Sequence, residues 1–347
     1  MQQPLQHITE TGLEAPGAGA ETPQPAATVA PRGRRLALPG WVRLMLSDRK
    51  AALGVTILAF FVLVAIVGPL LWRGDPAAPN YNSPPMSGPS AAHWFGTDQQ
   101  SHDIFLQMVY GTGPVLFIGF SIALLATALG FIGVLGGYVG GWVDELLNMI
   151  TNIFLVIPAF PLVIVLASWI HVKNDLPLIL VIALTSWPWV ARVLRSQTLS
   201  LRQRDFVQAA IVSGEPTWRI VFRYIVPNMT SLVASNLIGL VVAAVGSAAG
   251  LFFLGLGNMA EVNWFTILYW AQNASALQQG AWWTFALPGG AIALLGTACA
   301  LINYGIDEIS NPRLRADKIK LPKPARTTPR PARPDATTTT PAKGHAR

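Results

Sequence analysis

Long apolar runs alternate with short polar connections along this chain. Residues 51–72 give about 22 positions without a charge, and comparable apolar runs follow at 113–137, 146–170, 176–193, 229–256 and 285–306. About 20 apolar residues carry an α-helix across a hydrocarbon core of about 30 Å. Six transmembrane helices in an all-α integral membrane fold are therefore predicted. The third run contains Pro158 and Pro161, which predicts a kinked helix whose freed carbonyls are satisfied by its neighbours. The fifth is rich in small residues, among them Gly239, Ala243, Ala244, Gly246, Ser247, Ala248, Ala249 and Gly250. Such a face predicts close packing against partner helices.

One stretch with helical spacing departs from this pattern. DFVQAAIVSGEPTWRIVFRYIVPN, Asp205 to Asn228, carries Asp205, Glu215, Arg219 and Arg223. A charge at bilayer depth costs roughly 3 kcal/mol, so the stretch is expected outside the hydrocarbon. Two short helices are predicted, with a break at Gly214. Phe206, Ala209, Ala210 and Ser213 recur on the first. On the second, Pro216 suits the opening turn, Trp218, Val221, Phe222 and Ile225 share a face beside Arg219 and Arg223, and Pro227 stops the run. On pattern alone an ordinary amphipathic loop helix fits equally well.

Composition agrees with a membrane protein: 52% of the 347 residues are hydrophobic and 12% are charged, against about 25% charged in soluble domains. The single cysteine, Cys299, permits neither an internal disulfide nor a thiolate metal site. The net charge of +7 raises the question of nucleic acid, but 22 of the 24 Lys and Arg fall in three places: Arg32 to Lys50, Arg192 to Arg223 and Arg313 to Arg347. That is the positive-inside pattern of a membrane topology, and no nucleic-acid partner is expected.

The charge pattern sets the domain organisation. Residues 1–50 form a cytoplasmic tail, mostly disordered and without the apolar segment of a cleavable signal peptide. Residues 73–112 and 257–284 are extracytoplasmic. Residues 113–310 hold the other five spans, with 205–228 on the cytoplasmic face between the fourth and fifth. Residues 311–347 form a second cytoplasmic tail, basic and disordered, whose Arg313 to Lys323 suit anionic lipid headgroups. Both termini are thus placed in the cytoplasm. Trp264, Tyr269, Trp270, Trp282 and Trp283 suit an aromatic belt at the headgroup level, with stacking on a ligand as the alternative.

The missing chemistry narrows the function. Asp144, Glu145 and Asp175 sit at span ends, so the midplane carboxylates of an ion-coupled carrier are absent. No G-x-x-x-x-G-K-[ST] phosphate loop occurs, so this chain binds no ATP by that route. His93, Asp98, His102 and Asp103 cluster in the first outside loop, but their spacing matches no strong metal-ligand pattern, and Asp98 reads as a cap. His171 is isolated, and no nucleophile–base pair can be inferred. No catalytic residue, cofactor site or metal site is expected.

Gln208-Ala209-Ala210-x3-Gly214-x12-Pro227 resembles the EAA loop by which ABC importer permeases dock on their ATPases. Four further blocks resemble the second permease subunit of the dipeptide/oligopeptide and nickel importer family. They are FGTDQQSHDIFLQMVYG (95–111), GGYVGGWVDELLNMITNIFLVIPAFPLVIVL (136–166), LFFLGLG (251–257) and the region ending NPRLR (311–315). The resemblance covers about residues 93–315. It departs at Gln208, where the loop has glutamate, at Tyr224, where a basic residue is common, and at Ser101-His102-Asp103, where Gly-Arg-Asp is usual.

The resemblance implies a type I ABC importer permease in a bacterial inner membrane, with no catalysis of its own. It implies ATPase coupling through Asp205, Gln208, Ala209, Ala210, Gly214, Arg219, Arg223 and Pro227. It also implies a paralogous permease as heterodimer partner, two ATP-binding subunits carrying ATP and Mg, and an extracytoplasmic substrate-binding protein. Di- and oligopeptides are the expected cargo, with nickel or glutathione as alternatives. From a different class, a stand-alone carrier or channel fits the spans; a membrane-embedded enzyme lacks any polar constellation to support it.

Overall fold

A backbone amide in hydrocarbon has no water to bond, so a chain this apolar must satisfy its backbone within helices or a closed barrel. The computed structural model describes residues 48–80, 83–170 and 174–310, and among them helices account for all the regular structure apart from one isolated bridge, Thr97 to Asp103. The chain divides into Met1–Pro39 and Gly40–Arg347, and every described residue belongs to the second unit. Expectations for residues 1–47 and 311–347, with the lipid-facing Arg313 to Lys323, and for His171 and Lys173 fall outside the described residues.

Helix α1 (Arg49–Leu71) starts at Asp48, whose carboxylate accepts the Ala51 N–H at 3.2 Å. Helix α2 (Ile104–Gly130) is capped by Asp103 and runs on, past a break at Phe131, into α3 (Ile132–Val139). Two helices follow, α4 (Gly141–Val156) and α5 (Ala159–Trp169), then α6 (Asp175–Arg202). Helix α7 (Asp205–Val212) is followed by a short turn, α8 (Thr217–Arg219), that passes through a π-helical turn (Ile220–Ile225) and a 3-10 turn (Val226–Met229) into α9 (Thr230–Phe253). Helices α10 (Trp264–Asn273) and α11 (Trp283–Ser310) complete the order. Five stretches are long and apolar enough to cross a membrane: α1, Ile104–Val139, α6, Thr217–Phe253 and α11. The pair α4–α5, counted as one span, makes the sixth.

That pair corrects the expected kink. Its two halves meet at 87°, a break rather than a bend. The residue before a proline is pushed out of the helical region, and Ile157, at φ −75° and ψ 129°, leaves the helix directly before Pro158. Helix α6 also runs nine residues past Val193, the predicted end of its apolar run.

Glycines set how closely the spans approach. A methyl on Gly133 would lie 2.1 Å from the Ala191 carbonyl oxygen, and one on Gly130 would lie 2.5 Å from Val190, so α2 and α3 rest backbone to backbone on α6. Gly54 of α1 stands in the same relation to Ala298 of α11, and Gly119 of α2 receives the Val245 side chain of α9. Close approach of this kind substitutes for the hydrophobic drive that lipid cannot supply between spans. The expected close packing of α9 holds on the side of Ala244 and Ala248, both buried, whereas methyls on Gly239 and Gly246 would meet nothing within 4 Å.

Trp264 and Trp283 overturn their part of the expected aromatic belt. Both are buried, with Trp264 Nε1 donating to the Met108 carbonyl at 2.9 Å and Trp283 Nε1 to the Thr97 carbonyl at 3.2 Å. They tie the segment around α10 to α2 and to the loop before it. Trp282 remains exposed, and Trp270 is partly so.

Candidate functional site

Residues 205–228 fold as two helical pieces hinged at Gly214. Helix α7 ends in a C-terminal motif of two hydrogen bonds, Gly214 N–H to the Ile211 carbonyl at 3.0 Å and Glu215 N–H to the Ala210 carbonyl at 3.2 Å. Such a closure requires a residue in the left-handed region at Gly214, and its φ is +74°. Pro216 is the N-cap of the next helical turn rather than its first residue. The Glu215 carboxylate then holds Arg219 at 2.8 Å, one helical turn on, and the Arg219 guanidinium lies 5.5 Å from the centre of the Trp218 ring.

The faces differ from the predicted ones. Val207 and Ala210 turn inward from α7, while Ala209 is exposed beside Phe206. Beyond the hinge, Ile220, Val221, Ile225 and Met229 are buried, whereas Trp218 and Phe222 are each 62% exposed. The expected stripe of Trp218, Val221, Phe222 and Ile225 is therefore split. A π-turn holds more residues than an α-turn, so it rotates Val221 and Ile225 away from Trp218 and Phe222. The π-turn packs against α3 and the end of α6. Pro227 does not stop the helix either. It sits where the ladder already changes from π to 3-10, so its missing N–H breaks no regular bond, and the chain stays helical to Phe253.

The outward face is left with Phe206, Ile211, Val212, Trp218 and Phe222, among exposed Arg204, Asp205 and Arg223. Asp205 lies in the first turn of α7, where a negative charge suits the helix dipole. Gln208 faces backward: its Nε2 donates to the Arg202 carbonyl at 2.8 Å and caps the end of α6. A glutamate there would lack the proton for this bond, which gives the departure from the EAA pattern a local reason.

The adjoining spans are clamped by pairs that the sequence spacing does not reveal. Arg195 of α6 grips Asp144 of α4 through two bonds, Nε to Oδ1 at 2.6 Å and Nη2 to Oδ2 at 2.7 Å. Arg202 lies 5.6 Å from the centre of the Tyr138 ring, and Arg192 donates to Asn152 at 2.6 Å. A fork-to-fork pair fixes orientation as well as distance, so α4 and α6 move together at this end.

At the other end, the loop before α2 is a closed network. Asp98 accepts from the backbone N–H groups of Gln100 and His102, from His102 Nδ1 and from Gln107 Nε2, all within 2.9 Å. His93 Nδ1 meets Asp103 at 2.8 Å, and its Nε2 meets Ser83 Oγ at 2.8 Å and Asn80 Nδ2 at 3.2 Å. The amide nitrogen can only donate, so Nε2 accepts and Nδ1 carries the proton to Asp103. This serine–histidine–aspartate chain is the pairing that sequence alone did not show. Asp103 uses its other oxygen to cap α2, so the chain fastens the loop to the helix. Each histidine is held by a different carboxylate, and among the described residues no three His, Cys, Asp or Glu gather as a metal-holding group.

Residues 128–316 match the family described as binding-protein-dependent transport system inner membrane component. The chain is 33% identical to the dipeptide transport system permease protein DppC of Alkalihalophilus pseudofirmus over 301 residues, covering 85% of this chain and 97% of that one. It is 31% identical to the oligopeptide transport system permease protein OppC of Bacillus subtilis, over 78% of this chain and 87% of that one. A putative peptide permease protein of Brucella abortus is 33% identical, over 77% and 88%.

Proposed function

The chain belongs to the inner membrane components of binding-protein-dependent transport systems, and from that membership we propose that it forms half of the path of an ATP-driven importer of di- and oligopeptides. It is a transport subunit of an ABC system and not an enzyme; ATP hydrolysis belongs to a separate subunit. The peptide cargo is inferred from the dipeptide and oligopeptide permeases it is similar to. In this reading residues 205–228 dock on a cytoplasmic ATPase, with Asp205, Gln208, Ala209, Ala210, Gly214, Arg219, Arg223 and Pro227 building the coupling surface. A paralogous permease completes the path, two ATPases supply ATP and Mg, and an extracytoplasmic binding protein delivers the peptide. The grouped basic residues support a topology with both termini in the cytoplasm.

The observation that carries the docking role is the outward face of the segment. Trp218 and Phe222 are more than half exposed on a piece closed by its own backbone bonds at Gly214 and by the Glu215–Arg219 pair. Exposed aromatics grouped beside arginine are what a protein groove takes as anchors. Of the eight coupling residues, Gln208 and Ala210 support that face from behind, and Gly214 sets the angle between its two halves.

The test is Gly214→Leu in the assembled complex. A Cβ at Gly214 meets nothing within 4 Å, so the main folding cost is that of the left-handed backbone, about 1–2 kcal/mol. Loss of substrate-stimulated ATP hydrolysis, or of ATPase co-purification, is expected. Uptake coupled to ATP at the unsubstituted rate overturns the docking role.

A further inference from the structure

Between α6, α9 and α11 lies a cavity of about 320 Å³, lined by Trp189, Ser235, Asn236, Gly239, Leu240, Ala243 and Asn303. Three of these seven are uncharged polar residues on membrane spans. Polar side chains within spans face a bundle interior or a water-filled space. Their hydrogen-bonding capacity is half used. Ser235 Oγ lies 2.5 Å from Asn303 Oδ1 and 3.1 Å from the Asp307 carboxylate, so the serine is engaged, which leaves the Asn303 Nδ2 donors. Asn236 Nδ2 donates to the Leu232 carbonyl at 2.9 Å, which leaves its Oδ1 as an acceptor.

A peptide unit presents one N–H and one C=O, and the cavity supplies the matching acceptor and donor, while the Asp307 carboxylate, outside the lining, is bonded to Ser235. Gly239 and Ala243 beside them offer no side chain that could select among cargo side chains. The cavity opens onto the exposed face of α9, which continues through Val242 and Gly246. The exposed face of α1 is different in kind, with Leu53, Phe60, Leu63, Ile66 and Leu70 all more than half exposed, as acyl chains require. From Ser235 to Gly250 is about 22 Å along the helix at 1.5 Å per residue. At Gly250 the ring of Phe160, from α5 beyond the 87° break, lies 2.8 Å from where a methyl would sit.

The geometry points to this cavity and the open face of α9 as this chain's share of the cargo path, binding peptide backbone amides regardless of sequence and closed at Gly250 by the Phe160 ring. The inference rests on the peptide-import reading, and its test separates the two. In the complete complex in vesicles, with Cys299→Ala removing the native thiol, Gly239→Cys and Gly246→Cys are treated with a charged, membrane-impermeant methanethiosulfonate. Labelling at least ~10-fold faster than at Leu63→Cys is expected, because an apolar surrounding suppresses the reactive thiolate. Equal rates overturn the path, and this readout needs no cargo.

Uptake of radiolabelled trialanine tests the cargo separately: if the unsubstituted complex does not import it, the peptide reading falls whatever the labelling. Gly239→Trp and Ala243→Trp are expected to abolish trialanine uptake while the subunits still co-purify and hydrolyse ATP. Retained uptake overturns the inference, and so does loss of co-purification, which would mark the face as a subunit interface. Phe160→Ala is expected to let preloaded trialanine leak without ATP, and vesicles that stay tight overturn the closing role.

Discussion

The loop before α2 and the segment at 205–228 lie at opposite ends of the spans and handle their side chains in opposite ways. In the loop, Asp98 takes up His102 and Gln107 while Asp103 takes up His93, and Trp264 and Trp283 are drawn inside with their indole nitrogens satisfied. In the segment, the backbone is closed by the Gly214 motif and Glu215 holds Arg219, yet Val212, Trp218 and Phe222 remain outside. A region completed by its own chain contributes stability; a region that leaves grouped apolar side chains outside has the character of an interaction surface.

This contrast breaks if substitutions at the two ends have the same kind of effect. The largest expected change is at Asp98→Ala, which strands the buried Gln107 donor and the part-buried donors of Gln100 and His102 and should lower stability by about 3 kcal/mol. Thermal unfolding in detergent reads it, and ATPase binding by the folded fraction should be unchanged. Trp218→Ala and Phe222→Ala should do the reverse. Each should weaken binding of the ATPase subunit by about 2 kcal/mol, with the melting temperature unmoved. A melting shift as large as that of Asp98→Ala would show that the segment is structural.

Smaller effects sharpen the same distinction. Asp144→Ala removes both acceptors of Arg195 and should cost about 1–2 kcal/mol for this partly buried pair. Its signature is a lower melting temperature together with reduced coupling, because the pair joins α4 to the span that carries the segment. Gln208→Glu restores the residue of the EAA pattern but loses the donor to the Arg202 carbonyl, at about 0.5–1 kcal/mol. Unchanged stability in that variant would show that the cap on α6 is dispensable.

The spans were legible because an uninterrupted apolar run leaves few alternatives to a helix. The end of α6 was less so: Arg195 and Arg202 read as the start of a loop, and only their partners Asp144 and Tyr138, distant in sequence, keep that stretch helical and packed. Pro158 and Pro161 announced a disturbance in the third run, but its angle depends on Ile157 leaving the helix completely. The break at Gly214 was readable from glycine's tolerance of the left-handed region. The faces on either side of it were not, because α-helical spacing cannot anticipate a π-turn that separates Trp218 from Val221. The buried tryptophans were missed because an indole that belongs to a headgroup belt and one that bonds a distant carbonyl have the same sequence signature.

The helical path from Thr217 to Phe253 is continuous over 37 residues, roughly 55 Å at 1.5 Å per residue. It begins within the exposed segment and ends three residues beyond Gly250. Such a rod transmits a tilt without any relay of side-chain rearrangements: turning it by about 5° about one end carries the other through about 5 Å over that length. That displacement is comparable to the width of an aromatic ring. A tilt of that size pivoting at Trp218 would carry Gly250, about 48 Å along the helix, through about 4 Å, enough to part it from the Phe160 ring.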